Sequence, residues 1–241
     1  MNGSRDEILG RVRRALSNPA PEHHHGHRSE ISDIRKLFAS DYQHPSLIDR
    51  FRKEFSEVSG EMAVCSDTES VIDAIKDLIR SSHFGMVAIS RHALCLRLQL
   101  EEKLRAELPQ IQFVDDVMDS ENSFERNRLR EKLSGVDLSI TGAEYLIADI
   151  GTIVAISNPQ ASRQISLLPA AHLVVATPDQ IFPNMAELFK HIWEKHRDAL
   201  PGSALTLITG PSRTADIEKV LIRGVHGPTR LLAIILGSEM K

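Results

Sequence analysis

From about residue 60 to the C-terminus, short apolar runs alternate with amphipathic stretches that have helical spacing. Strands that alternate with helices are joined by right-handed crossovers and form a parallel sheet with helices on both faces. The first half of this region is therefore predicted to be an α/β structure. Its predicted elements are strand 62–65, helix 68–81, strand 86–89, helix 92–107, strand 111–114 and an exposed helix over 121–134.

The second half has apolar runs with shorter connections, and no full helix separates the first three of them. Hairpin or mixed strand pairing is expected there, because antiparallel neighbours need only short turns. The predicted strands are 136–140, 152–156, 173–176, 204–208 and 231–236, with a helix from Pro183 through His196 and a short helix at Thr214.

Composition excludes several classes of protein. The chain has 241 residues, 41% of them hydrophobic, and a net charge of −4, so it can bury a large core but has no basic field to attract nucleic acid. No run reaches the roughly 20 apolar residues of a membrane span, and the N-terminus has no apolar signal region, so a cytoplasmic protein is expected. Walker, nucleophile-elbow and dinucleotide-binding motifs are lacking.

The two cysteines, Cys65 and Cys95, lie far apart in apolar segments. They are expected to be reduced core thiols, because two isolated cysteines cannot hold an iron–sulfur cluster or a structural zinc. The sequence thus predicts no metal site and no resident cofactor. Any redox chemistry would have to involve another group.

The first 59 residues are predicted to be a helical extension of the α/β domain, which would occupy 60–241. A capping box at Ser4 to Glu7 opens a short amphipathic helix, and Pro45 opens another. Between them, residues 18–32 are rich in proline and histidine and are expected to be a flexible linker. Its cluster, His23 to His27, could bind a stray divalent metal, but a flexible tract supplies no fixed geometry, so no physiological metal site is expected.

The segment that follows the strand at 204–208 contains candidate anion-binding residues. Gly210, Ser212 and Thr214 form a turn that leads into the predicted short helix, whose exposed N–H groups could hold a small anion. Ser212 and Thr214 are good N-caps, and Asp216 falls in the first turn, where an acidic side chain is favoured. A well-capped structural helix explains the same pattern equally well.

His226 is the strongest candidate for proton transfer. It stands in Gly224-Val225-His226-Gly227-Pro228, where flanking glycines and a proline indicate a loop. An imidazole titrates near neutral pH and can donate or accept a proton there.

Other polar residues lie at predicted strand ends, where ligands of open α/β sheets bind. Glu144 could be a general base or a nucleophile, although a surface glutamate is the alternative. Asp149 could orient a ligand hydroxyl or cap the turn into Gly151, and Gly151 and Thr152 allow close backbone approach. These residues could meet Gly210 and His226 in one pocket.

Two basic residues lie between these segments. Arg163 could clamp a carboxylate such as lactate or pyruvate through two hydrogen bonds, but a structural pairing with Asp149 or Glu144 is the alternative. His172 precedes an apolar strand, so a hydrogen-bonded core histidine is favoured over a ligand.

Together these motifs resemble the lactate-utilisation (LUD) domain family. The resemblance rests on Ile140-Thr141-Gly142-Ala143-Glu144-Tyr145 with Asp149 to Val154, on Leu167-Leu168-Pro169, on Gly210-Pro211-Ser212 and on Gly224 to Pro228, in family order from about residue 60 onward. Relatives tend to have Thr at the place of Ile150 and a glycine-rich turn at the place of 158–161.

The resemblance implies a three-layer α/β/α sandwich like that of phosphosugar isomerases and CoA transferases, with a mainly parallel sheet. It also implies a component of a cytosolic L-lactate oxidation system that works with iron–sulfur partner subunits and binds a small carboxylate. One alternative is a stand-alone enzyme acting on a phosphosugar, acyl-CoA or folate substrate. Another is a structural assembly factor, so whether the chain is itself an enzyme is left open.

Overall fold

The computed structural model describes residue 10 and residues 46–115, 123–158, 162–196, 202–215, 221–223 and 227–237. The predicted linker and the His23 to His27 cluster lie outside these residues. Helices are α1 (Leu47–Glu57), α2 (Thr68–Ser81), α3 (Ala93–Arg97), α4 (Leu100–Glu107), α5 (Ser123–Ser134) and α6 (Met185–Lys195). Strands are β1 (Gly60–Cys65), β2 (Met86–Ile89), β3 (Gln112–Asp115), β4 (Leu138–Gly142), β5 (Tyr145–Ile147), β6 (Thr152–Ser157), β7 (Ala171–Ala176), β8 (Ile181–Phe182), β9 (Ala204–Ile208), β10 (Arg213–Ala215), β11 (Leu221–Arg223) and β12 (Arg230–Leu236).

Six strands form one parallel sheet in the order β1-β12-β7-β4-β2-β3. The predicted α/β class with a mainly parallel sheet is thereby confirmed. From β2 the chain continues outward to β3, whereas from β4 it continues in the opposite direction toward β7 and β12. The strand order therefore reverses between β2 and β4, which is where open α/β sheets form a crevice at their carboxyl ends.

One face of this sheet is covered by α2, α3 and α4. Helix α2 begins at Asp67, whose carboxylate accepts the Ser70 N–H in a capping box. Its apolar side chains recur at helical spacing and pack with those of α3, α4 and the strands into the largest core cluster. The buried members of α2 are Val71, Ile72, Ile75 and Ile79.

The opposite face is covered by α1, by α5 and by a second sheet in the order β8-β5-β6-β9. Phe51 and Phe55 of α1 are fully buried and stack at 5.1 Å between ring centroids. Strands β5 and β6 form an antiparallel hairpin, which confirms the predicted hairpin pairing in this part of the chain. Helix α6 packs on the outer side of the second sheet through Leu188 and Ile192.

Two predicted helices differ from the structure. The expected helix over 92–107 is interrupted at Gln99, which has a φ of +52°. Leu98 and Leu100 on either side both enter the same core, and residues two apart on one continuous helix face opposite directions, so the chain must turn between them.

The prediction of a short helix at Thr214 is wrong. Thr214 lies in β10 and pairs with Ile222 of the antiparallel strand β11. Pairing with a strand a few residues further on overrides the local capping preference of Ser212 and Thr214, since β-branched residues fit a strand well.

None of the helices among the described residues is long and apolar enough to cross a membrane.

Candidate functional site

The chain segments that leave β2 and β4 meet where the strand order reverses. After β2 the chain reaches Ser90 and His92, and after β4 it reaches Glu144. Gly142 at the end of β4 makes this contact possible, because a Cβ atom there would collide with the His92 imidazole. The His92 ring thus occupies the space that a side chain at position 142 would need.

His92 and Glu144 form a pair, and the backbone determines which ring nitrogen of His92 can donate a hydrogen bond to Glu144. The His92 Nδ1 atom accepts a hydrogen bond of 3.2 Å from the Leu94 N–H, so His92 is the N-cap of α3. In the neutral ring the proton then resides on Nε2, which lies 3.4 Å from Glu144 Oε1. The His92 hydrogen bond, with the charges of His92, Lys195 and His196, lowers the pKa of Glu144 below 4.5 despite its burial.

The backbone holds Glu144 in place at the start of β5. Its N–H donates to the Val154 carbonyl at 3.0 Å, and its own carbonyl accepts from Gln180 Nε2 at 3.3 Å. The side chain is 35% exposed, against 13% for His92. Glu144 is therefore anchored but can be reached by a ligand.

A small cavity of about 30 Å³ lies between the two sheets beside this pair. That volume suits one or two oxygen atoms. Arg163, at the start of a 3₁₀ turn (Arg163–Ser166), lines the cavity together with Glu144. The hydroxyl-bearing residues that also line it are Ser90, Thr141, Ser157, Ser162 and Ser166.

Thr141 connects this cavity to a buried histidine. Its Oγ1 atom lies 2.9 Å from Nε2 of His172 on β7, which is fully buried. The prediction that His172 is a hydrogen-bonded core residue is confirmed. Burial lowers the pKa of His172 to about 4, so the ring is neutral at physiological pH.

A larger cavity of about 470 Å³ also includes His92 and Glu144 in its lining. Two basic residues, Arg97 of α3 and Lys195 of α6, line it as well. The remaining lining residues are Ala93, Leu94, Tyr145, Thr177, Asp179, Gln180, Phe182 and His191. This cavity offers two basic groups and two carboxyl groups, those of Glu144 and Asp179, to a small polar ligand.

A third cavity, of about 640 Å³, lies along α3 and α4 beyond β2. It is the largest of the three, but neither His92 nor Glu144 lines it. Its Cys95 thiol is inert, because burial raises the Cys95 pKa to about 12. We therefore place the candidate site in the two cavities that share His92 and Glu144.

The candidate site residues that follow Glu144 in the sequence, Asp149, Gly151 and Thr152, lie at the turn of the β5–β6 hairpin. Gly151 has a φ of +56°, and a Cβ there would collide with the backbone of Glu54 and Phe55 in α1. The Thr152 hydroxyl lies 2.7 Å from that of Thr209. The Asp149 carboxyl has a buried oxygen, Oδ1, with no hydrogen-bond partner, and burial raises its pKa.

The glycine-rich turns after β9 and before β12 lie together. The Ser212 N–H donates to the Pro228 carbonyl at 2.8 Å, and a Cβ at Gly227 would lie 3.2 Å from Ser212 Cβ. Gly210, with a φ of +79°, approaches α1, since a Cβ there would collide with the Val58 carbonyl.

Asp216 and His226 lie outside the described residues. Of the predicted site residues, the structure thus brings Glu144 and Arg163 together at one cavity. It places Asp149, Gly151, Thr152 and Gly210 near α1.

Sequence reasoning missed His92, Arg97 and Lys195. His92 had the same signal that singled out Glu144, a polar residue just after a buried strand at a carboxyl end. Arg97 and Lys195 carried no such signal, because Arg97 is one charge among several in the predicted helix over 92–107 and Lys195 is one among several on α6.

Among the residues that the structure describes, no group of three His, Cys, Asp or Glu side chains is arranged to hold a metal ion. Cys65 and Cys95 are both buried and unpaired as disulfides. The expectation that they are core thiols is confirmed.

The parallel sheet and its strand-end cavities define an α/β protein with a crevice at the strand-order reversal. The LUD domain family profile matches residues 48–236, and the chain belongs to this family. A crystal structure of a DUF162 family protein from Deinococcus radiodurans shares the fold, with a TM-score of 0.53 and 22% identity over 79% of this chain and 96% of that one.

Several relatives carry the name lactate utilization protein C. Those from Exiguobacterium sp. and Bacillus subtilis are 26% and 25% identical to this chain, over 97% and 96% of it and over 96% and 92% of their own lengths. The protein of that name from Halalkalibacterium halodurans is 37% identical over 114 residues, which is 46% of this chain and about half (49%) of that relative.

Proposed function

We propose that the chain takes part in lactate utilization by binding a small carboxylate, L-lactate or pyruvate, beside Glu144. The relatives named lactate utilization protein C support the metabolic role, because two of them align along nearly the whole chain. The observation that carries the binding site is the cavity that Arg97 and Lys195 line together with the His92–Glu144 pair.

This combination of groups suits a 2-hydroxy acid. L-Lactate has a carboxylate and a hydroxyl on adjacent carbons, so it needs a cation for the first and an acceptor for the second. Arg97 and Lys195 supply charge-assisted hydrogen bonds to the carboxylate. Glu144, whose lowered pKa keeps it ionised at neutral pH, accepts the hydroxyl proton in a hydrogen bond.

We assign electron transfer to partner subunits that carry iron–sulfur clusters. Conversion of lactate to pyruvate releases two electrons, which require an acceptor. Clusters are held by four ligands, most often thiolates, whereas this chain has only Cys65 and Cys95. Burial raises the pKa of both thiols, which disfavours the thiolate that binds iron.

Titration calorimetry with the full chain tests the binding site. Lys195→Met should weaken L-lactate and pyruvate binding by roughly tenfold or more, because a charge-assisted hydrogen bond is lost. Lys190→Met is the matched control, since Lys190 is an exposed lysine on the same helix that does not line the cavity. Equal effects of the two substitutions would contradict the assignment.

Cell growth tests the metabolic role. Removal of the gene should abolish growth on L-lactate and leave growth on pyruvate intact. Turnover of a sugar phosphate, an acyl-CoA or a folate by the purified chain alone would instead favour the stand-alone enzyme.

A further inference from the structure

His172 and Thr141 form a buried pair separate from the residues that the proposed function assigns to the ligand. His172 is fully buried on β7, and Thr141 is 6% exposed on the neighbouring strand β4. Both project from the sheet face opposite α2, α3 and α4. The pair sits directly behind the small cavity, because Thr141 is part of that cavity's lining.

The tautomer of His172 decides which way the Thr141 hydroxyl points. His172 Nε2 is bonded to Thr141 Oγ1, while the buried Nδ1 atom has no partner. A neutral imidazole carries one proton. If that proton were on Nδ1, a buried N–H would be left unpaired, and such orphaned donors are rare in folded proteins. With the proton on Nε2, His172 donates to Thr141, and the Thr141 O–H can donate only elsewhere.

We propose that His172 is a positioning residue that makes Thr141 a hydrogen-bond donor to the ligand, so that the small cavity takes an acceptor-only oxygen of a small carboxylate. This assignment rests on the proposed function for the class of ligand. His92 lines the same cavity, but its Nε2–H is directed at Glu144 Oε1 at 3.4 Å, so Thr141 is the donor assigned to the ligand there. Carboxylate and keto oxygens only accept hydrogen bonds, so a donating Thr141 hydroxyl selects them.

The cavity volume supports the same assignment. About 30 Å³ admits one or two oxygen atoms but not a whole lactate or pyruvate molecule. The rest of the ligand would occupy the larger cavity, which shares His92 and Glu144 with the small one. Thr141 would thus contact the ligand at a point that Arg97 and Lys195 do not.

Nitrogen NMR of the full chain with labelled histidine tests the first step without any ligand. The expected spectrum shows His172 protonated at Nε2 and unprotonated at Nδ1, unchanged between about pH 6 and pH 8. A proton on Nδ1 would overturn the proposal, because Thr141 would then donate to His172 and not to a ligand.

Pyruvate binding, measured by calorimetry, tests the second step. Thr141→Val removes the hydroxyl but keeps the branched shape, and it should weaken pyruvate binding roughly tenfold, whereas Thr141→Ser should retain binding. The matched control is Ser139→Ala, since Ser139 is a buried hydroxyl residue on the same strand and face that does not line the cavity. Undiminished binding by a folded Thr141→Val variant, or equal loss in the Ser139→Ala control, would overturn the proposal.

A wild-type chain that binds neither pyruvate nor L-lactate would contradict the proposed function and, with it, the ligand class assigned to Thr141. The NMR spectrum would still decide separately whether His172 makes Thr141 a donor. The two failures are therefore distinguishable.

Discussion

The strand-end site and the hairpin turn both contain a glycine that leaves room for a close neighbour, but the neighbours differ. At Gly142 the space is filled by the imidazole of His92, and a cavity lies beside it. At Gly151 and Gly210 the space is taken up by the backbone around the end of α1. A glycine beside polar residues in a sequence thus indicates a close approach but does not say whether a side chain, a helix or a ligand makes it.

The comparison also separates two kinds of carboxylate. Glu144 has a histidine partner and a lowered pKa, whereas Asp149 has an unpartnered oxygen and a raised pKa. The first environment stabilises the charge and the second opposes it. Ligand binding by Asp149, Gly151, Thr152 and Gly210 stays a prediction, and substitutions at the two glycine regions can distinguish structural from binding roles.

Gly151→Ala is expected to have the largest effect on stability. The new methyl group would lie in the left-handed backbone region and against the backbone of α1, which cannot move aside as a side chain can. We expect a loss of about 3 kcal/mol and a melting temperature lower by roughly 10 °C. Lactate or pyruvate binding per folded molecule should be unchanged, as measured by calorimetry below the melting transition. Lost binding in a folded Gly151→Ala chain would instead place this turn at the ligand.

Gly142→Ala should reduce ligand binding more than it reduces stability, the opposite of Gly151→Ala. Its methyl group meets the His92 ring, which can rotate away, so the stability loss should be smaller, about 1–2 kcal/mol including the lost N-cap of α3. Displacement of His92 removes the partner of Glu144, and pyruvate binding should fall by tenfold or more. Normal binding in this variant would show that the position of His92 does not matter for the ligand.

The period of the apolar residues was sufficient to predict the α/β class and most of the elements. Helix 68–81 and strands 86–89 and 204–208 were predicted with the bounds that the structure has. In these segments the spacing of apolar residues and the burial of the side chains favour the same secondary structure. The Gln99 break and the β10–β11 hairpin depend on contacts with distant residues or on strand pairing, so local spacing could not show them.

The site was harder to predict than the fold. Glu144 was found because it follows a buried strand, but its partner His92 comes from 52 positions earlier in the chain, and Lys195 from 51 positions later. Their convergence follows from the strand order β4-β2 and from the docking of α6 on the second sheet, neither of which is encoded in local spacing. The tautomers of His92 and His172 similarly follow from backbone and strand neighbours that the sequence alone does not identify.

The smallest expected effects come from neutralising the two carboxylates, and their signs should be opposite. The pKa of Glu144 is below 4.5 in the folded chain, so its charge contributes stability above about pH 4.5, and that contribution is lost as the pH falls through the folded value. The pKa of Asp149 is above 3.8, so its stability contribution is present below about pH 3.8 and is lost as the pH rises through the folded value.

At pH 7, Glu144→Gln should therefore lower the melting temperature and Asp149→Asn should raise it, each by roughly one to three degrees. Melting curves at pH 7 and near pH 3.5 check this, because both differences from the wild type should shrink at the lower pH: the Glu144 contribution declines as the pH falls below 4.5 toward the lowered folded pKa, and the Asp149 charge is lost below its raised pKa. A melting temperature lowered by Asp149→Asn at pH 7 would mean that the Asp149 charge has a stabilising partner, and the contrast between the two regions would fail.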